Sequence, residues 1–112
     1  MFKIKTLQEH KQELIKNLTT DGWKAKEQEL EYEEELYCVR AKKKAFFVFS
    51  RVHIYVVLKE VTEDNLEEVV DLVKENFLNY HAIWLAAGFF SKEVKEFARE
   101  TQQIGLLEID VE

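Results

Sequence analysis

The chain has 112 residues, a net charge of −6 and 46% hydrophobic residues, which suits one globular domain with a single core. Its single cysteine, Cys38, excludes an internal disulfide and a multi-cysteine zinc site, and no apolar run approaches the length of a membrane span. We therefore expect one domain over residues 1–112, soluble and cytoplasmic. The absence of proline and the charged fraction of 34% lean towards a heat-adapted, thermophilic protein.

The first predicted element is an amphipathic helix over Thr6–Thr19, with leucines on one face. Thr6 and Glu9 have the spacing of a capping box, and Gly22 can take the left-handed conformation that ends helices. The segment Trp23–Tyr32 follows as a charged strand at or near a sheet edge, where charge discourages pairing between edges.

Two tight turns are predicted next, and they imply antiparallel strands. Glu33–Glu35 forms the first turn, Leu36–Ala41 the second strand, and the three lysines Lys42, Lys43 and Lys44 the second turn. These lysines are either a solvated hairpin tip or a loop that contacts phosphates. The pattern leaves both interpretations open.

Aromatic and β-branched residues fill Ala45–Val61, as pleated strands prefer. The segment is long for one strand, so we expect two strands or one bent strand, with the break at Ser50–His53. The alternate residues Ile54, Val56 and Leu58 are all apolar and should face the core.

The second half of the chain alternates helices with strands. Thr62 is a suitable N-cap for a helix whose apolar stripe ends at Phe77, and Ala82–Ala87 is an unbroken apolar run, typical of a strand covered on both faces. Gly88–Phe90 is predicted as a turn and Ser91 as the next N-cap. The last helix should turn Val94, Phe97 and Ala98 inward, and a short strand follows at Leu106–Ile109.

The element order is therefore α-β-β-β-α-β-α-β. Strands joined by tight turns are antiparallel, and strands joined through helices are parallel. The predicted fold class is α/β (α+β), with a mixed β-sheet flanked by helices.

Two stretches carry a resemblance to a known family. Gly88–Ala98 combines Gly-Phe with a serine cap and a helix containing an inward alanine, and Ile104–Asp110 is a strand ending in Ile-Asp. With the Gly22-Trp23 exit of the first helix, these residues resemble the restriction-endonuclease-like (PD-(D/E)xK) superfamily, and the Mrr-type enzymes within it. The resemblance implies a restriction-endonuclease-like core over the whole chain.

The resemblance also implies a hydrolytic centre in which an Asp and a Glu-x-Lys pair bind Mg²⁺ and activate water. In this sequence Val57-Leu58-Lys59 keeps the lysine but has valine in place of glutamate. The other register, Phe49-Ser50-Arg51, has neither residue, and no acid lies between Leu36 and Lys59. The pattern predicts that the nuclease centre is absent.

The remaining catalytic candidates are weak. Lys59 and Glu13 are the residues we single out, with Glu9 and Glu60 as further acids, and Glu13, Lys59 and His53 could meet in space. Neither His10, His53 nor His81 has metal-ligand spacing, so no metal site is predicted. Cys38 beside His53 would be a nucleophile pair by spatial coincidence, whereas core packing is the simpler role for the thiol.

Two functional hypotheses remain. In the first, the protein is a catalytically inactive nuclease scaffold that acts through a protein partner or as a homodimer, and it needs no cofactor. In the second, it is a DNA-binding protein or a Mg²⁺-dependent endonuclease or resolvase that uses the basic segment Tyr37–Lys59. The nucleic-acid contacts would then come from Lys42, Lys43, Lys44 and Arg51. Aromatic residues would either stack on bases or fill the core and an interface: Phe46, Phe47, Phe49, Tyr55, Phe89 and Phe90.

Overall fold

A computed structural model describes residues 4–45 and 49–111 of the chain. Its five-stranded sheet has the order β1-β2-β3-β4-β5, with antiparallel pairs β1–β2 and β2–β3 and parallel pairs β3–β4 and β4–β5. This confirms the predicted fold class and element order. The elements are α1 Leu7–Thr20, β1 Lys24–Gln28, β2 Leu36–Ala45, β3 Phe49–Val61, α2 Leu66–Asn76, β4 Ala82–Phe90, α3 Lys92–Glu100 and β5 Ile104–Glu108.

Helix α1 begins and ends as its sequence predicts. The Thr6 hydroxyl accepts from the Glu9 backbone N–H at 3.1 Å, and the Glu9 carboxylate accepts from the Thr6 N–H at 3.2 Å. Gly22 has a φ of +89°, a conformation that side chains disfavour, and this residue directs the chain into β1. The capping box therefore defines the first residue of α1, and Gly22 defines where the chain leaves α1 for the sheet.

Strand β3 is covered on both faces of the sheet, and alternate residues of β3 face different layers. Ile54, Val56 and Leu58 lie in the larger cluster, which contains the buried valines of α2 and Val94 of α3. On the other face, Tyr55 and Val57 belong to two smaller clusters beneath α1. The predicted core set is confirmed, and the opposite parity is buried as well because α1 lies over it.

The predicted turn at Lys42–Lys44 is wrong, because these lysines are part of β2. They pair with Val52, Arg51 and Ser50 in unbroken antiparallel register. The predicted break at Ser50–His53 is also wrong, since β3 runs continuously from Phe49 to Val61. Lysine side chains are long enough to reach water from a strand, so a charge run does not by itself identify a turn.

Several boundaries differ from the predicted ones. β1 is only Lys24–Gln28, so the strand predicted over Trp23–Tyr32 was too long. Gly88–Phe90 extends β4 instead of forming a turn, because Phe89 and Phe90 pair with the end of β3. Helix α2 begins after Asn65, since Thr62 forms a preceding turn in which its carbonyl accepts from Leu66 N–H at 3.0 Å.

In the last helix one residue differs from its predicted position, and in the last strand a glycine packs closely against a tryptophan. Ser91 caps α3 as predicted, but Phe97 is 38% exposed and does not face inward as expected. Gly105 lies within β5 against the Trp84 ring, and a Cβ there would clash with the ring carbons Cζ3 and Cε3 of Trp84. Only glycine lets β5 pair with β4 beside this indole.

Candidate functional site

A cleft opens where β3 ends and α1 begins, and it contains the lysine expected from the family resemblance. Its volume is about 480 Å³. Lys59 is exposed at the end of β3 and has no ion pair with another described residue. The cleft is lined by Thr6, Leu7, Glu34, Glu35, Lys59, Glu60 and Val111.

The strand register shows which residues of β2 and β3 lie near Lys59 on the same face of the sheet. Val57 lies two residues before Lys59 and therefore on the same face of β3. Tyr37 lies directly opposite Val57 on β2. Both positions face the layer of α1, where Val57 is only 1% exposed and packs with Leu7 and Ala86. Valine and tyrosine thus occupy the places nearest the lysine along the two strands.

Tyr37 is held by its own loop and by α1. Its hydroxyl donates to Glu35 Oε2 at 2.7 Å, and this hydrogen bond, followed by burial and nearby carboxylates, raises the pKa of the phenol. The Lys11 ammonium lies 4.9 Å from the centre of the tyrosine ring and donates to Glu27 Oε1 at 2.8 Å. Lys11 is buried, so Glu27 and the ring provide the contacts that its charge requires.

The acidic residues of α1 contact partners other than Lys59. Glu13 pairs with Lys5 and lines a different cavity from the one that contains Lys59. Glu9 belongs to the capping box at Thr6. The structure therefore does not gather Glu13, Lys59 and His53 around one point: His53 contacts Trp23, Tyr55 and Trp84 instead.

The donor set at Lys59 does not fit Mg²⁺. Hard cations take several oxygen ligands, usually carboxylates. Val57 and Tyr37 present an isopropyl group and a phenol. Three glutamates also line the cleft, Glu34, Glu35 and Glu60, and Glu35 already accepts the Tyr37 hydroxyl. Within residues 4–45 and 49–111, no group of three or more histidine, cysteine, aspartate or glutamate residues is arranged to hold a metal ion. We therefore derive no hydrolytic step through a metal at this cleft.

Cys38 and His53 do not form a nucleophile pair. Cys38 faces the large core beneath α2, and burial, with a smaller effect from Glu27, raises the pKa of its thiol to about 12. His53 lies on the opposite face, where its Nδ1 accepts a hydrogen bond from Trp84 Nε1 at 3.3 Å. Burial, and then His81 and Arg51, lower the pKa of His53. Burial in the aromatic cluster therefore favours the neutral form of this imidazole.

The predicted nucleic-acid contacts are divided between two faces of the sheet. Lys43 and Arg51 are cross-strand partners on the α1 side, where Lys43 donates to the Asp21 carbonyl at 2.8 Å and lies 5.7 Å from the Trp23 ring centre. Lys42 and Lys44 alternate with Lys43 and lie on the opposite face. Phe46 and Phe47, predicted to stack or to pack, lie outside the described residues.

Strand β1 adds basic residues that sequence reasoning missed. Lys24 lies opposite Lys42, and Lys26 lies opposite Arg40. The bases on β1 and β2 recur at every second residue, which is the signal that could have revealed them. It is informative only once the pairing register of the two strands is known.

The sheet order and flanking helices define an α+β fold with a mixed five-stranded sheet in the described part of the chain. No protein-family profile and no curated protein matches the chain. Among solved structures, the nuclease EndoMS in its apo form matches 99% of this chain with a TM-score of 0.62 and 10% sequence identity. The chain spans about half the length of that protein, of which 49% is covered. At this identity the likeness defines the fold alone.

No helix in the described part of the chain has the length and apolar character to cross a bilayer.

Proposed function

We propose that this protein is a nuclease-like domain that does not hydrolyse phosphodiesters and acts by binding. The observation that carries the proposal is the pair Val57 and Tyr37, which occupies the two strand positions from which carboxylates would meet Lys59. A Mg²⁺-dependent hydrolase needs oxygen ligands at this point to hold the metal and to lower the pKa of its water. An Mrr-type origin of the scaffold is part of the same proposal.

The surroundings of this pair support a structural role. Val57 completes an apolar cluster, Tyr37 donates to Glu35, and Lys11 is neutralised by Glu27. Each group therefore has a partner within the chain, and Lys59 is the cation of the cleft that has no paired carboxylate among the described residues.

Exposed apolar side chains support contacts with a protein partner or with a second copy. Phe89 is 54% exposed and Phe97 is 38% exposed, although both belong to a domain that buries most of its large apolar residues. Aromatic residues are enriched at the centres of protein interfaces. A homodimer is the simplest form of this hypothesis, and sedimentation velocity over a range of protein concentrations tests it directly.

The decisive experiment measures metal binding and cleavage together. The protein is incubated with millimolar Mg²⁺ or Mn²⁺ and with duplex, mismatched or branched DNA, and its melting temperature is recorded with and without metal. We expect no cleavage and no metal-dependent rise in melting temperature, because a ligand stabilises only the state that binds it.

Lys59→Ala is the matched control for this experiment. Its side chain is exposed and has no ion pair in the described structure, so folding and oligomeric state should not change. Metal-dependent cleavage by the wild type that disappears in Lys59→Ala would overturn the proposal and favour the Mg²⁺-dependent endonuclease. A marked loss of stability would instead show that Lys59 is structural.

A further inference from the structure

We propose that the uncovered face of β1 and β2 is a binding surface for the phosphodiester backbone of a nucleic acid, independent of the cleft at Lys59. Five bases form this surface, which we call the basic ladder: Lys24, Lys26, Arg40, Lys42 and Lys44. The proposal goes beyond a non-hydrolytic role, because it names a ligand and places it at the other end of β2.

The strand register builds the ladder. Lys24 lies opposite Lys42, and Lys26 lies opposite Arg40. Because side chains alternate along a strand, all of these residues share a face with Cys38 and not with Val39, which lies beneath α1. On β2 the larger core includes Cys38, and on β3 it continues to Ile54 and Val52, which lie opposite Arg40 and Lys42. The exposed lysines of the ladder lie at the margin of this core.

The positive charge of the ladder is not neutralised within the described chain. None of its members has an ion pair or a side-chain hydrogen bond with another described residue. The four lysines are exposed and Arg40 is half-buried. Lys43, on the opposite face, is by contrast hydrogen-bonded to the Asp21 carbonyl and lies against Trp23.

Placing these bases in register opposes folding, which suggests that the arrangement serves an external anion. Like charges directly opposite each other on paired strands are destabilising. Two such rungs are adjacent here, at Lys24–Lys42 and Lys26–Arg40. Lysines on an edge strand also prevent edge-to-edge aggregation, but that role needs no cations on the inner strand β2.

The geometry fits an extended polymer of regularly spaced anions. Successive ladder residues on one strand are about 6.7 Å apart, since each residue of a strand advances about 3.3–3.4 Å. From Arg40 to Lys44 the bases therefore extend for about 13 Å along β2. A nucleic-acid backbone carries one negative charge per nucleotide and can follow such a row.

The ladder lacks the anchors that a protein or membrane surface would use. No aromatic or large aliphatic side chain lies on this face among residues 24–28 or 40–44. Protein interfaces depend on buried aromatic and aliphatic side chains, and stable membrane attachment adds apolar insertion to charge. The same lack of aromatic residues removes base stacking, so the contact should be independent of sequence.

The experiment measures binding of fluorescent duplex DNA and of a single strand by anisotropy between 50 and 200 mM salt, without divalent metal. Binding through four to five phosphates should weaken by about a hundredfold over this range, with a slope of log K against log salt of roughly −0.9 per contact for duplex and −0.7 for a single strand. At the lower salt concentrations the dissociation constant should be on the order of micromolar.

Two variants with the same change in net charge distinguish binding through the ladder from a general effect of net charge on DNA affinity. Changing Lys24, Lys26, Lys42 and Lys44 to Gln removes four ladder charges, whereas changing Lys16, Lys74, Lys92 and Arg99 to Gln removes four exposed bases elsewhere. The ladder variant should lose at least about a hundredfold in affinity and most of the salt dependence, and the control should lose less than about tenfold. Circular dichroism verifies that both fold.

Double variants keep the test valid if the quadruple ladder variant fails to fold. Lys24→Gln with Lys26→Gln, and Lys42→Gln with Lys44→Gln, should each reduce the duplex salt slope by roughly 1.8. Equal losses in the ladder and control variants, or no measurable binding by the wild type, would overturn the proposal. Tighter binding to polyglutamate or to anionic vesicles than to either DNA would replace it with an acidic-protein or lipid partner. None of these outcomes bears on cleavage, which tests the cleft separately.

Discussion

The two ends of β2 differ in whether the nearby positive charges have partners within the described chain. Near Tyr37, where the strand begins, Lys11 is buried against Glu27 and the tyrosine ring. Between Arg40 and Lys44, where the strand ends, the bases on one face lie opposite other bases and have no carboxylate among the described residues. Charge that is neutralised within the chain is engaged by its own partners, whereas charge left unpaired on the surface is available to another molecule.

The largest predicted effect comes from placing a carboxylate at Val57, which lies opposite Tyr37 near the start of β2. Val57→Glu puts a charge at a position that is 1% exposed and surrounded by Leu7 and Ala86. We expect the free energy of unfolding to fall by roughly 3–5 kcal/mol, as for other buried charges without a partner. Urea unfolding followed by tryptophan fluorescence measures the change.

The pH dependence of Val57→Glu distinguishes charge from lost packing. Val57→Ala, which should cost roughly 2 kcal/mol, is the control. Burial raises the pKa of the new carboxyl, so the folded variant retains a proton that the unfolded chain releases above about pH 4.3. Its stability relative to Val57→Ala should therefore decrease as pH rises through this value. Equal stability of the two variants at neutral pH, or stabilisation of Val57→Glu by Mg²⁺, would show that the position is open to solvent or metal.

A smaller effect is expected from separating Lys11 from Glu27. Glu27→Gln leaves a buried ammonium without its counter-ion, and we expect a loss of about 1–2 kcal/mol, reduced because the Glu27 side chain is 39% exposed. Lys11→Met removes the charge itself and keeps the length of the side chain, so it should be neutral or stabilising.

Glu13→Gln is the matched control for this pair, since its partner Lys5 is 37% exposed. Breaking an exposed pair should change the free energy of unfolding by less than about 1 kcal/mol. Thermal unfolding of the three variants at low salt provides the comparison. Glu27→Gln and Glu13→Gln could instead lower the free energy of unfolding equally. In that case the fold does not depend on the Lys11–Glu27 pair, and the two ends of β2 do not differ in the way described above.

Sequence patterns predicted this fold where two independent signals coincided. The capping box with Gly22 located α1, and the apolar parity of Ile54, Val56 and Leu58 located the core face of β3. Charge alone is a poor guide, because the run Lys42–Lys44 favours a turn in the sequence but continues β2 in the structure. A strand in contact with water tolerates long charged side chains, so polarity does not distinguish it from a loop.

The two sites differ in how far they could be predicted. The absence of acids between Leu36 and Lys59 is a property of the sequence, and the resemblance to a known family was enough to identify it. The basic ladder depends on which residue of β1 lies opposite which residue of β2, because a shift of one residue would place Lys24 and Lys26 on the α1 face. That register is set by tertiary packing, in which Ala25 and Trp23 contact the cluster beneath α1.

The smallest predicted effect has the opposite sign and concerns the basic end of β2. Removing charge from Lys24 and Lys26 relieves repulsion with Lys42 and Arg40, so the double change to Gln should raise the free energy of unfolding by about 0.2–1 kcal/mol. The gain should shrink as salt screens the repulsion. Lys74→Gln with Lys92→Gln, at exposed helical positions, should show no comparable gain. A stabilising change that also weakens DNA binding would indicate that these lysines are kept for a ligand, whereas a loss of stability would show that the ladder serves the fold.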